Sequence, residues 1–174
     1  MQLDRQWIAE QIPHQGGMHL LDAVERWDEN IITCTATSHR WETLPLRAHG
    51  RLGAACGIEY AAQAMAVHGA LLCPTTGEGH AAQLGYLISV RNVVLRVSRL
   101  DDIDGDLTIT AEKLANKDNL LYRFAILGQG ALRHAVPPGS PRVGQQGNVL
   151  LQTGWRSVEV PHGRPAACGP GPER

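Results

Sequence analysis

Residues 57–72 read GIEYAAQAMAVHGALL, and the fold is decided there. Ala, Met, Leu, Glu and Gln are good helix formers, and no proline interrupts them before Pro74. Ile58, Ala61, Ala62, Ala64, Met65, Ala66, Val67, Ala70, Leu71 and Leu72 surround nearly the whole cylinder. A helix that is apolar on all sides is buried. No apolar run approaches the roughly 18 residues of a membrane span. The helix is therefore expected at the centre of the protein, wrapped by sheet. Against that background Glu59 and Gln63 stand four apart on one face.

Upstream, residues 4–11 suit a short helix that stops before Ile12-Pro13, because the residue before proline is pushed out of the helical region. LLDAVERW (20–27) and IITCTATS (31–38) lean towards strand and flank the turn sequence Asp28-Glu29-Asn30. HRWETLPLRAHGRL (39–52) has no period and reads as a surface loop, of the long kind often given to function. Downstream, LGYLISVRNVVLRVSRL (84–100) reads as a long β-branched strand run interrupted by Arg91, Arg96 and Arg99, DDIDGD as a turn, and LTITAEKLA (107–115) alternates like a strand. Residues 116–119 mark a hairpin before LLYRFAILG (120–128), whose Tyr122, Phe124 and Ile126 share a face. GNVLLQTGWRSVEV (147–160) resumes strand character, with a bulge expected at Gly154. The Pro/Gly-rich stretch 130–146 reads as an insertion at a hairpin tip, and 161–174 as a disordered tail. That leaves residues 1–160 as one domain.

Composition narrows the function classes. Of 174 residues, 43% are apolar and 19% charged, which excludes a wholly disordered chain. A net charge of −1 and a single Phe argue against nucleic acid as a partner. Cys34, Cys56, Cys73 and Cys168 form no C-x-x-C pair, so reduced thiols are expected rather than disulfides or structural zinc. His14 and His19 lack metal-site spacing, and GGM at 16–18 lacks that of a nucleotide loop. The first residues carry charges from Asp4 onward and no apolar run of a secretory signal, so a cytoplasmic protein is expected, neither in nor on a membrane. The element order implies an α+β fold of hot-dog layout. In it a curved antiparallel sheet, its last four strands a meander, wraps one long central helix. Open strand edges in such a sheet suggest a homodimer or a larger even assembly.

Three stretches carry a resemblance to a known family. IPHQGGMHLLDAVERWDEN resembles the opening L-P-H-R-x-P-x-L-L-V-D-R-V of the 3-hydroxyacyl-[acyl-carrier-protein] dehydratases. GIEYAAQAMA is similar to their central-helix signature, where a catalytic acid is followed by Gln within E-x-x-A-Q. SVRNVVLRVSRLDDIDGDLTIT resembles their strand pair around a P-G-D turn, with Arg99, Leu100 and Asp101 in place of the proline-rich start. The resemblance covers about residues 8–128 and resumes at 147–160. It is nearest to the divergent subgroup found with polyketide systems, including those of aryl polyene pigments. Typical members carry a catalytic His in G-H-F-P-G. The nearest text here is Ala48-His49-Gly50-Arg51-Leu52, which keeps only the His-Gly pair.

The resemblance implies a dehydratase acting on a 3-hydroxyacyl thioester on acyl carrier protein, fatty-acid or polyketide in type. No metal or other cofactor is implied beyond the carrier's phosphopantetheine. Glu59 is the expected acid, protonating the leaving hydroxyl. A carboxylate capping the helix dipole is the structural alternative. Gln63 is expected to orient Glu59 or a water, or to be a satisfied buried amide. For the base, His49 lies on the loop where the family places it, and His14 in the better-matched opening. His39 has only its loop position in favour. Backbone N–H groups at Gly57 and Ile58 suit the thioester oxygen. Arg47, Arg51, Arg91, Arg96 and Arg99 form either a basic rim for an acidic carrier protein or a scattered solvated face. The expected assembly is a homodimer, or a heterodimer with another hot-dog subunit. Two other readings stand beside the dehydratase: a non-catalytic hot-dog subunit that pairs with an active dehydratase or binds carrier protein, and an acyl thioesterase.

Overall fold

The computed structural model describes residues 3–72, 89–114, 121–128 and 148–156. Helix α1 (Arg5–Gln11) opens with the Asp4 side chain accepting from the Trp7 N–H at 3.0 Å, and ends where Ile12 turns extended before Pro13. A hairpin follows, β1 (Ala23–Trp27) and β2 (Ile31–Ala36), and then the long helix α2 (Gly57–Leu72). The later strands are β3 (Ser89–Arg91), β4 (Leu107–Leu114), β5 (Leu121–Gly128) and β6 (Asn148–Arg156). Among the described residues all six strands form one antiparallel sheet in the order β1-β2-β4-β5-β6-β3, and α2 packs across it against β2, β4 and β5. This is the hot-dog fold expected from the sequence.

The core lies between helix and sheet and follows the strand period of two. Ile32, Cys34 and Ala36 on β2, Leu107, Ile109 and Ala111 on β4, and Tyr122, Phe124 and Ile126 on β5 are all buried against Tyr60, Ala61, Ala64 and Val67 of the helix. Each large apolar side chain so placed contributes about 1.5–3 kcal/mol of burial. Cys34 belongs to this packing, and burial pushes its thiol up to about 12, so it is inert. His68 is a polar residue within this packing. Its Nε2 donates to the Asp28 carbonyl at 2.7 Å, which leaves Nδ1 to accept from the Tyr122 hydroxyl at 2.9 Å. One imidazole thereby ties the β1–β2 turn to the helix and to β5.

Several expectations are corrected. The helix is not covered all round: Ala66 is exposed and Ile58, Glu59, Ala62, Gly69 and Ala70 are half-buried, one continuous stripe along it. The strand expected over 84–100 is cut at Arg91, because Asn92 takes a left-handed backbone (φ 56°), and residues 91–96 are exposed. Nor do four strands form the meander. It comprises β4, β5 and β6 only, since β3 crosses to the far edge beside β6. The β6 bulge falls at Leu150, where Ile126 and Leu127 pair with Leu151 and Val149, while Gly154 stays in register with Arg123. The turn at 116–119, the insertion at 130–146 and the tail at 161–174 lie outside the described residues.

The loop 39–52 is not simply a surface segment. His39 is fully buried and its Nε2 donates to the Ile103 carbonyl at 3.1 Å. Arg47 donates to the carbonyls of Trp41, Gly50 and His39, and to Asp101 at 3.1 Å. Asp101 also accepts from Arg99 and from the Leu52 N–H. Burial works to raise this carboxyl, but the Arg99 guanidinium and the Leu52 N–H outweigh it and hold it at about 2. Two of the five arginines considered for a basic rim thus serve the fold.

Two outcomes follow for stability. Asp101→Asn should cost about 2–4 kcal/mol, because two guanidinium groups lose their anion. Burial also lowers the pKa of His39 and His68 from 6.5, so each stays neutral in the fold. Above about pH 6.5 folded and unfolded chains are both neutral at these rings. Below it the unfolded chain takes up protons that the fold refuses, and stability drops. Asp101 adds a second loss as pH falls from 3.8 towards about 2. Urea midpoints measured from pH 7 to pH 5 should therefore decline, and a flat profile would show that the two rings charge freely in the folded state.

Candidate active site

The site is built where the opening segment crosses the start of α2. After Pro13 the chain makes a tight turn over Gly16–Met18. Gly16 is left-handed there (φ 59°), and a Cβ on Gly17 would meet the Pro45 ring at 3.1 Å. Two adjacent glycines thus let the segment turn flat against the following loop. The turn is then locked to the helix by one side chain. Gln63 is fully buried, its Oε1 accepts from the Leu20 N–H at 2.9 Å, and its Nε2 donates to the Met18 carbonyl at 2.7 Å and to Glu59 Oε1 at 3.1 Å.

The same oxygen of Glu59 lies 3.0 Å from His14 Nε2, with both side chains about 30% exposed. His14, Glu59 and Gln63 therefore form one hydrogen-bonded group: an imidazole and a carboxyl in direct contact, partly open to solvent, on a rigid base. Such a pair can take a proton at one member and give one from the other. Glu59 sits on the uncovered stripe of α2, so it is less buried than an all-round apolar helix suggests.

Other site expectations fare differently in the geometry. His49 is exposed on the turn joining Ala48 to Arg51, with a left-handed backbone (φ 51°), and no contact with Glu59 is found among the described residues. The buried His39 bonds the 100–103 turn instead. The Gly57 N–H is occupied by the Ala54 and Ala55 carbonyls, because a 3-10 turn over Ala54–Cys56 runs straight into α2. It is not available to a thioester oxygen in this chain. Ile58 is half-buried and packs on the core. Among the described residues no three His, Cys, Asp or Glu side chains gather as a metal cage, and no helix is long and apolar enough to cross a membrane. Sequence reasoning missed Asp101, hidden in an acidic turn, and His19, more than nine-tenths buried beside the site.

Gln63→Leu tests the clamp. It strands the buried Leu20 N–H, at about 1–3 kcal/mol, and leaves the part-buried Met18 carbonyl without its donor, so the melting temperature should fall by several degrees. An unchanged value would mean the opening segment is held by something else.

The comparisons with known proteins agree with this architecture. A solved structure titled "The Dehydratase Heterocomplex ApeI:P from Xenorhabdus doucetiae" is similar at a TM-score of 0.62 and 21% identity, over 88% of this chain and 90% of that one. No curated protein matches the chain. The family model described as ApeP-like, ApeP dehydratase, matches residues 6–134, which contain the opening segment, the whole of α2 and strands β1 to β5. The chain therefore belongs to the ApeP-like dehydratase family.

Proposed function

We propose that the chain removes water from a 3-hydroxyacyl thioester held on acyl carrier protein, with His14 as base and Glu59 as acid. The observation that carries this reading is the 3.0 Å contact between His14 and Glu59. His14 takes the C2 proton, the electron pair forms the C2=C3 bond, and the C3–O bond breaks as Glu59 gives its proton to the departing hydroxyl. Water leaves. His14 then holds one proton too many and Glu59 one too few, and their direct contact returns the proton, which resets the pair. No redox step occurs, and no cofactor is needed beyond the phosphopantetheine arm of the carrier.

A second hot-dog subunit is part of the proposal. Among the described residues strand β3 is an edge of the sheet, and Val93, Val94 and Leu95 beyond it are 38%, 48% and 46% exposed. An unpaired edge next to exposed apolar residues suits pairing with another sheet. The similar solved structure is titled a heterocomplex of dehydratases, which favours an unlike partner. Exposed Arg51, Arg91 and Arg96 remain for an acidic carrier protein. The heterocomplex also favours a second reading, in which this subunit supports an active partner and does no chemistry itself.

Turnover of a carrier-bound 3-hydroxyacyl thioester, by the chain alone and with a partner subunit, separates these readings. Glu59→Gln should keep the fold and lower dehydration by roughly 10²–10⁴-fold, His14→Ala should approach the same loss, and His49→Ala should change little. Free acid as product would indicate a thioesterase. Full activity of the assembly with Glu59→Gln would assign this chain the supporting role.

A further inference from the structure

His19 is the second histidine of the opening segment, and the proposed chemistry leaves it without a task. Its place in the chain is unusually fixed. Met18 and Leu20, on either side of it, are both bonded by Gln63, and the Arg5 guanidinium donates to the His19 carbonyl. The side chain is 4% exposed. Its Nε2 is buried and has no hydrogen-bond partner among the described residues. Across the Gly16–Met18 turn, His14 Nδ1 is likewise buried without a partner, while the other nitrogen of that ring rests on Glu59.

Two unpaired imidazole nitrogens on either side of one turn are costly, at about 1–3 kcal/mol each if never used. Burial alone does not call for histidine either. We propose that His19 is a positioning residue for His14, holding the His14 ring at Nδ1 through one bridging water, so that Nε2 stays on Glu59. The charges around His19 come from Arg5 on α1, from Asp22 ahead of β1 and from His14 itself. Burial, Arg5 and His14 keep the His19 ring neutral at pH 7. A neutral imidazole can donate or accept at its free nitrogen, and so can match the tautomer that Glu59 imposes on His14.

The kinetic part of this inference rests on the dehydratase reading, and the spectroscopic part does not. The test is the 15N spectrum of the histidine rings in the full chain. In the wild type the His14 ring should show one tautomer, with hydrogen on Nδ1, so that Nε2 is free to act as the base. In His19→Leu its two nitrogens should move towards averaged shifts, and His19→Gln, which keeps a hydrogen-bonding group, should restore the wild-type pattern. The coupling is reciprocal, so His14→Ala should displace the His19 ring signals. That arm decides the matter even if His19→Leu does not fold, because His14 is partly exposed and tolerates alanine. With substrate, His19→Leu should lose roughly 10–100-fold in kcat with KM unchanged. If the His14 signals of His19→Leu overlay the wild type, or those of His19 ignore His14→Ala, the proposal is overturned. That outcome leaves the roles of His14 and Glu59 untouched, whereas absence of turnover with coupled ring signals would remove the dehydratase reading alone.

Discussion

The buried amide of Gln63 is the interaction on which the site depends. A carboxamide out of contact with water must spend its polar atoms inside the protein. Gln63 spends Oε1 on Leu20 and Nε2 on Met18 and Glu59. Leu20 is held a second time, because the Ser38 hydroxyl donates to its carbonyl at 2.7 Å while the buried Tyr60 hydroxyl donates to Ser38. The opening segment is thus stitched to the helix through buried and part-buried hydrogen bonds. His14 reaches Glu59 only because that segment cannot slide.

The remaining polar interior divides into charges that are paired and histidines that are neutral. Among the described residues Asp101 is the strongly stabilised buried anion, and it draws Arg47 and Arg99 inward, so the loop before α2 becomes part of the folded body. His39 and His68 each give a proton to a backbone carbonyl and join distant parts of the chain without adding charge to the core. The Glu59–His14 pair differs from both in being partly open. A group partly open to solvent can exchange protons with what approaches it, whereas the enclosed groups can only hold the structure.

Much of this fold is legible in the sequence because it obeys short-range rules. The helix at 57–72 follows from composition and the absence of proline, and β4 and β5 from an apolar period of two. What failed was non-local or depended on single backbone angles. Asn92 stops a run of β-branched residues that reads as a long strand. The place of β3 beside β6 depends on pairing across the sheet, which no periodicity encodes. The uncovered stripe of α2 escaped notice because alanines count as apolar whether they face a sheet or solvent.

The sequence by itself determined the architecture and the candidate groups: the helix, the carboxyl and amide four residues apart on one face of it, and two histidines ahead of it in the chain. Tertiary structure decided which histidine meets the carboxyl. His14 and His49 are separated from Glu59 by loops of different length, and local propensity says nothing about where either loop ends. The choice was made by buried hydrogen bonds from Gln63 and by the glycine turn at 16–17, which carry His14 onto Glu59, while the Arg47 and Asp101 bonds hold the other loop with His49 facing solvent.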